Sequence, residues 1–443
     1  MRLCMSQLRH RMPIDSRSSA QWDVLIAEGA QARRRTDAIF DLVPPALFFE
    51  RPIAARLRLA FYVGHLEAFD VNLLLHAGRG SMEEPLDRLF AFGIDPMNGD
   101  LPNDQARDWP RIDVIRSYAR RARGRVDAWL DDLRRRCLSQ EVQMRLHAAI
   151  EHRLMHAETL AYLLNRLSLH RPVRGCRQGI SPREPENVRV PGGSVLLGRR
   201  RGFGRDNEFA AHRVSVPAFR IDRWMVSNAQ YLDFVEAGGY SKRRYWSEVD
   251  WRWRVRHDVR HPAGWAREGA AWFLISRADV IPFQGNWPVY VSHAEASAYA
   301  RWRGCQLPSE AQWQRAAYSA ADAEASFYPW GSDAPDSTRG NFDFMRWDPM
   351  PVDAHPAGAS VFGLEGLLGN GWEWTCTPFA PFIGFSAAPF YPGYSADFFD
   401  GRHFVLKGGS AHTAARLLRP SFRNWFQPHF PYVFAGFRCV SEV

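Results

Sequence analysis

The sequence predicts an α+β protein in two parts, a four-helix bundle over residues 19–169 and a loop-rich mixed domain over 188–443, joined by a polar linker at 170–187. Two observations carry this division. As far as Leu169, apolar residues recur every three or four positions, the period of a helix with one buried face. After Val188 that period vanishes, and Gly, Trp, Phe and Pro crowd between short strand-like pieces. A third observation concerns chemistry: His152 and His156 stand four residues apart in a helical stretch.

In chain order, the helical pattern covers Gln21 to Val43, Ala54 to His76, Ile112 to Arg136 and Ser139 to Leu169. Pro44-Pro45 and the turn-rich run from Asp95 to Asp104 interrupt it where connections belong. In the second part, Val214 to Ile221 reads as a strand. Ser292 opens a helix reaching Arg303, and Ser309 opens another reaching Tyr318, with Gln312 placed to complete a capping box.

Residues at i and i+4 share a helix face, so His152 and His156 can point both imidazoles at one ion. His65, in Tyr62-Val-Gly-His-Leu-Glu67, can add a third nitrogen from another helix. Three neutral imidazoles hold a divalent metal and leave coordination positions open for substrate. Glu67 and Glu158, two residues beyond His65 and His156, either support these rings or face a neighbouring helix. The net charge of +9 comes from arginines scattered over helix faces such as Arg116 to Arg136, with no nucleic-acid-binding motif beside them. Six widely spaced cysteines without a CxxC pair point to reduced thiols and a cytoplasmic enzyme. No stretch approaches the roughly 20 apolar residues of a membrane span. The 17 tryptophans and 29 phenylalanines predict irregular, aromatic-packed structure and an aromatic-lined pocket.

The second part carries Asp206-Asn-Glu208, Val226-Ser-Asn-Ala-Gln-Tyr231, Trp287-Pro-Val289, Leu307-Pro-Ser-Glu-Ala-Gln-Trp313, Gly369-Asn-Gly-Trp-Glu-Trp-Thr375, Lys407-Gly-Gly-Ser410 and Gly436-Phe-Arg438. Together these strings resemble the formylglycine-generating-enzyme fold, a C-type-lectin-like variant. With the three-histidine, DinB-like bundle in front, the chain resembles the ergothioneine-biosynthesis sulfoxide synthases and the related selenoneine synthases. That resemblance implies Fe(II) on His65, His152 and His156, with hercynine, O2 and a sulfur or selenium donor as substrates. It implies a monomer without nucleic-acid or membrane partners. By the family's Tyr-x-x-Tyr-Ser pattern, Tyr391 supplies or relays a proton beside the metal, Tyr394 being its substitute. The betaine is then met by Asn424, Trp425 and Phe426, since aromatic faces attract a quaternary ammonium. The glycine-tryptophan string, Asp206-Asn-Glu208 and Arg438 read as scaffold, and His412 and His429 as surface or pocket-rim residues.

Departures from the family pattern narrow the chemistry. The segment after Gly-Gly-Ser410, residues 411–423, has no cysteine, which excludes the formylglycine reaction. Relatives that use γ-glutamylcysteine carry an arginine-rich loop after the second helix, whereas residues 95–108 here are acidic and neutral, with only Arg107 and Arg111 at or just beyond their end. Their Asp after Asn-Trp is Phe426 here, and the Gln common before the last histidine is Met155. Without those charge-assisted bonds a charged dipeptide is poorly held. The expected donor is a selenosugar, with cysteine or γ-glutamylcysteine as the sulfur alternative. A zinc-dependent DinB-like thiol transferase and a non-enzymatic sugar-binding module are the competing classes.

Overall fold

The computed structural model describes residues 16–75, 84–90, 103–133, 139–167, 185–277, 279–318 and 327–443. Most of the linker expected at 170–187 and most of the loop from Asp95 onward fall outside them, as do Cys4, Cys137 and Cys176, while Asn187 already belongs to a strand. The architecture is α+β, as the sequence predicts: helices first, then a mixed domain. By compactness the chain divides into residues 1–153 and 154–443, so the dividing line falls inside one continuous helix.

The first unit contains α1 (Ser16–Asp41), α2 (Leu59–Asp70), α3 (Glu84–Phe90), α4 (Ile112–Leu133) and the start of α5 (Gln140–Leu164). The second helix begins at Leu59, not Ala54. The amides of Leu59 and Ala60 bond back to the carbonyls of Glu50 and Phe48, so the chain before them folds on itself instead of winding. The short α3 lay outside the sequence reading, because seven residues are too few to show a period. At the centre, Phe61, Tyr62, Phe90, Tyr118 and Val126 are fully buried, with Phe90 and Tyr118 rings 5.2 Å apart.

A buried ionic network ties four helices together. Arg153 of α5 bonds Asp70 at 2.7 Å and Glu67 at 3.1 Å, both on α2. Arg123 of α4 bonds the same Glu67 at 2.7 Å and Asp37 of α1 at 2.8 Å. Thus Glu67 faces neighbouring helices instead of the histidines, and the neighbouring arginines hold its carboxyl below the usual range. Asp70 is pushed the other way, chiefly by burial. Not every helix arginine is solvated: Arg153 is 3% exposed and Arg123 is 32% exposed, both as lattice points of the fold.

The second unit adds α6 (Asn228–Glu236), α7 (Glu248–Arg256), α8 (His293–Arg303) and α9 (Glu310–Ala317). Its first strands are β1 (Asn187–Val190), β2 (Gly193–Leu197), β3 (His212–Val216) and β4 (Phe219–Asp222). Then come β5 (Trp265–Glu268), β6 (Ala271–Ile275), β7 (Val280–Pro282) and β8 (Gly371–Pro378). Last are β9 (Phe404–Gly409), β10 (Asn424–Phe426), β11 (Ala435–Gly436) and β12 (Val440–Glu442). They form sheets ordered β10-β9-β8-β11, β1-β4-β12, β5-β6-β7 and the pair β2-β3. The stretch 214–221 is two strands, because Pro217 lacks the amide a continuous ladder needs. Ser292 and Ser309 cap α8 and α9, each with its capping box complete.

The glycine-tryptophan string is structural. Gly369 adopts φ +83° where a side chain would strike the Asn341 backbone, and Trp372 and Trp374 are buried. Between them Glu373 accepts two bonds from Arg438 at 2.9 and 3.0 Å and one from Trp313 at 3.0 Å. Glu373 and Arg438 are fully buried, so each makes the other tolerable.

Candidate metal centre and substrate face

His65 of α2 and His152 and His156 of α5 are buried, and their ligand nitrogens all lie within 4.8 Å of one another. Two of them come from one helix turn, as the spacing predicts, and the third from α2. His65 Nδ1 lies 2.9 Å from the Phe90 carbonyl oxygen, which can only accept. The Nδ1–H therefore donates, and the lone pair belongs to Nε2. Burial lowers the His65 pKa to about 4, so the ring is neutral at physiological pH. Phe61 stacks on His65 at 4.7 Å and Phe69 on His152 at 3.5 Å, fixing both ring planes. Three imidazoles, one with its tautomer set from behind, fit a divalent first-row metal.

The Phe90 contact depends on Gly64. A Cβ at Gly64 would sit 2.5 Å from three Phe90 ring carbons. Gly64→Ala is therefore expected to displace Phe90, release the His65 tautomer and weaken metal affinity about 10-fold. A metal titration of the purified variant checks this, with the far-ultraviolet dichroism unchanged.

Neither glutamate flagged beside the histidines joins the trio. Glu158 accepts bonds from Trp372 Nε1 (2.7 Å), Ser410 Oγ (2.5 Å) and Thr413 Oγ1 (2.8 Å). It thereby joins α5 to the Gly-Trp-Glu-Trp and Gly-Gly-Ser motifs. His412, next to this anchor, is 1% exposed and stacked on Phe434 at 4.3 Å, and not at the surface. The turn that brings Ser410 and Thr413 onto Glu158 draws His412 inward with them. His429 is half-buried and bonds Asp250 at 2.8 Å.

The residues expected to meet substrate lie around the second unit's part of α5. Tyr394 Oη donates to Met155 Sδ at 3.4 Å, one residue before His156. The Tyr391 ring lies 5.6 Å from that of Tyr394. The loop holding both is pinned by Ser395, which donates to Asp206 and receives a 2.9 Å bond from Asn207. Glu208, the third residue of that motif, takes Arg419 at 2.8 Å and Ser421 at 2.5 Å. The Asp-Asn-Glu scaffold thus joins the tyrosine loop to the segment before β10. Sequence reasoning missed the residue in front of it: Arg205 is 5% exposed and lies 4.4 Å over the Tyr394 ring.

Asn424, Trp425 and Phe426 are half-buried on β10. Trp425 stacks on Phe379 at 4.2 Å and meets the Tyr394 ring edge-on at 5.5 Å. Phe426 stacks on Phe430 at 5.2 Å, and Phe430 meets Tyr162 of α5 at 5.9 Å. The Asn424 side-chain oxygen accepts the Trp425 amide at 2.9 Å. Arg107 and Arg111 are exposed, and Arg111 pairs with Asp113 at 3.1 Å. A separate pocket is walled by Trp265, Trp287, Trp347, Tyr290, Tyr432 and Phe434. It is the aromatic-lined pocket the composition predicts, yet none of the expected substrate residues lines it.

Residues 177–443 match the family described as sulfatase-modifying factor enzyme 1-like domain, and the chain belongs to that family. Within it, the chain is similar to proteins named hercynine oxygenase and ergothioneine biosynthesis protein 1. It is 39% identical over 310 residues to the hercynine oxygenase of Mycolicibacterium thermoresistibile, covering 66% of this chain and 68% of that protein. It is 42% identical to the hercynine oxygenase of Mycobacterium tuberculosis, over 54% of this chain and 56% of that one. A 24% identical match to ergothioneine biosynthesis protein 1 of Neurospora crassa covers 96% of this chain and 57% of that protein. The chain thus spans little more than half of two of these relatives and about two thirds of the other. Among the described residues, no helix is long and apolar enough to cross a membrane, and Cys305, Cys376 and Cys439 are free thiols.

Proposed function

We propose that the protein is an O2-dependent oxidoreductase that joins a chalcogen to C2 of the hercynine imidazole, with Fe(II) on His65, His152 and His156 and a selenosugar as donor. The convergence of three buried imidazole donors within 4.8 Å carries this reading, together with relatives named for hercynine oxidation. Iron bound there supplies one-electron O2 chemistry and a seat for an ionised chalcogen. The chain's own groups do the rest. Trp425, stacked on Phe379 and edge-on to Tyr394, supplies the aromatic surface that attracts a trimethylammonium group. Phe426, with its ring on Phe430, adds apolar surface in place of an acid. Tyr391 holds a proton on its phenol oxygen at neutral pH, because burial raises its pKa above the ordinary 10. Met155 offers a thioether to the same space.

The donor follows from the distribution of charge. Arg107 and Arg111 face solvent, and Asp104, three residues before Arg107, binds Arg58 at 2.7 Å. A dipeptide with several charges finds no arginine cluster among the described residues of this segment, and an uncharged sugar body needs none. Iron-loaded protein incubated with hercynine, O2 and each donor in turn decides the matter by mass spectrometry of the product. The selenosugar is expected to give the C–Se product at least 10-fold faster than either thiol. Turnover of γ-glutamylcysteine alone refutes the donor assignment. Activity with zinc and without oxygen refutes the oxidative reading and leaves the thiol transferase.

A further inference from the structure

Buried carboxylates of the second unit hold arginines: Asp222 holds Arg303, Glu208 holds Arg419, Glu310 holds Arg423 and Glu373 holds Arg438. These pairs staple strands and loops together. Arg205 lies against a ring and a sulfur. Its guanidinium carbon lies 4.4 Å from the Tyr394 ring centre, and Nη2 lies 3.8 Å from Met155 Sδ. The same sulfur accepts the Tyr394 hydroxyl at 3.4 Å. Cation, phenol and thioether therefore meet one residue before His156 on α5. The backbone at Arg205 is fixed as well, since its amide donates to Glu208 Oε1 at 2.7 Å. That carboxylate is itself held by Arg419 and Ser421.

The charges facing the tyrosine pair oppose one another. Asp206 and Asp397 disfavour negative charge on Tyr391, and Arg205 favours it. Asp206 is partly quenched by the Ser395 hydroxyl and the Asn207 amide. A guanidinium on a phenol's ring face attracts the ring's electrons, and attracts a phenolate more strongly still.

Taking the proton-donor role proposed above for the tyrosines, we infer that Arg205 is a positioning residue for the reaction: it clamps Tyr394 against Met155 and stabilises the negative charge a phenol of the pair carries once its proton has left. Two consequences are specific. Arg205 sets how readily the pair gives up a proton, and it does so whether or not metal is bound. It also holds the Tyr391–Tyr394 loop at one place along α5.

The test uses the full chain and two readouts. In the metal-free protein, phenolate absorbance is titrated from pH 8 to 12, and the curve of the Tyr391→Phe/Tyr394→Phe variant is subtracted to isolate the pair. Arg205→Gln is expected to move the pair's midpoint upward by about one pH unit, a tenfold change in acidity, with Arg205→Lys moving it less. In the iron-loaded enzyme, Arg205→Gln is expected to lower kcat at least 10-fold, leaving KM for hercynine within twofold, with partial rescue by Arg205→Lys. An unmoved phenolate midpoint overturns the inference even if the enzyme makes selenoneine. A moved midpoint in a chain without hercynine activity leaves the electrostatic role standing and removes the proposed function instead. A rise confined to the donor's KM, with midpoint and kcat unchanged, also overturns it, because Arg205 would then read the donor's charge.

Discussion

His152→Ala is expected to abolish metal retention and turnover together while leaving the bundle folded. The ring is 7% exposed, one helix turn from His156 and 5.2 Å from the His65 ring, so its loss leaves two donors where there were three. Removing a group that merely orients a ligand costs roughly 10–100-fold in metal affinity, and removing the ligand itself costs more. Folding is protected because the helices are tied elsewhere: Arg153 keeps its bonds to Glu67 and Asp70, and Arg123 its bonds to Glu67 and Asp37. The stacked Phe69, 3.5 Å away, loses a neighbour, which costs a few kcal/mol at most for a cavity of this kind. Metal content per chain after dialysis, beside a thermal melt, tests both halves. A variant that keeps one metal per chain would show that the three nitrogens are not the site. The neighbouring Arg153→Met gives the contrast, since it should lower stability by leaving buried Asp70 with only the longer Arg33 contact and Glu67 with Arg123 alone.

The contrast shows which part of the molecule could be read from residue order. The pair His152 and His156 declares itself, because four residues make one turn and two imidazoles on one turn have few other uses. The caps at Ser292 and Ser309 are equally local, being hydroxyls followed three residues later by a glutamate or glutamine. The same signal stands at Ser227 and Gln230, where the completed capping box opens α6. Other features have no local signature. Glu67 reads equally well as a histidine's support or a bridge, and only the arrival of Arg153 and Arg123 from 86 and 56 positions away decides it. Arg205 is more hidden still. It precedes a recognisable motif, and its importance comes from Tyr394, far along the chain, folding over it. Short, aromatic-rich α7 gave no apolar stripe to detect, as none of its side chains is fully buried.

Tyr391→Phe is expected to lower formation of the chalcogen–carbon product by ~10²–10⁴-fold, the usual contribution of one positioned proton donor. Metal content and hercynine affinity should stay at the level of the unmodified protein. The change removes one oxygen and no packing, and Tyr391 belongs to neither helix that carries the histidines. Burial raises its pKa, so the phenol is protonated across the physiological range and can donate throughout it. Tyr394→Phe supplies the comparison. It removes the bond to Met155 Sδ but keeps the ring between Arg205 and Trp425, so a smaller loss of about 10-fold is expected. Product ratios by mass spectrometry matter as much as rates. If the proton is needed before carbon–chalcogen bonding, its loss should divert oxygen onto the donor and raise the share of donor oxidised without coupling. The reverse ranking, with Tyr394→Phe the more damaging, would transfer the proton to the hydroxyl beside Met155. Equal and negligible effects would leave both phenols as packing for Trp425 and remove the tyrosine loop from the chemistry.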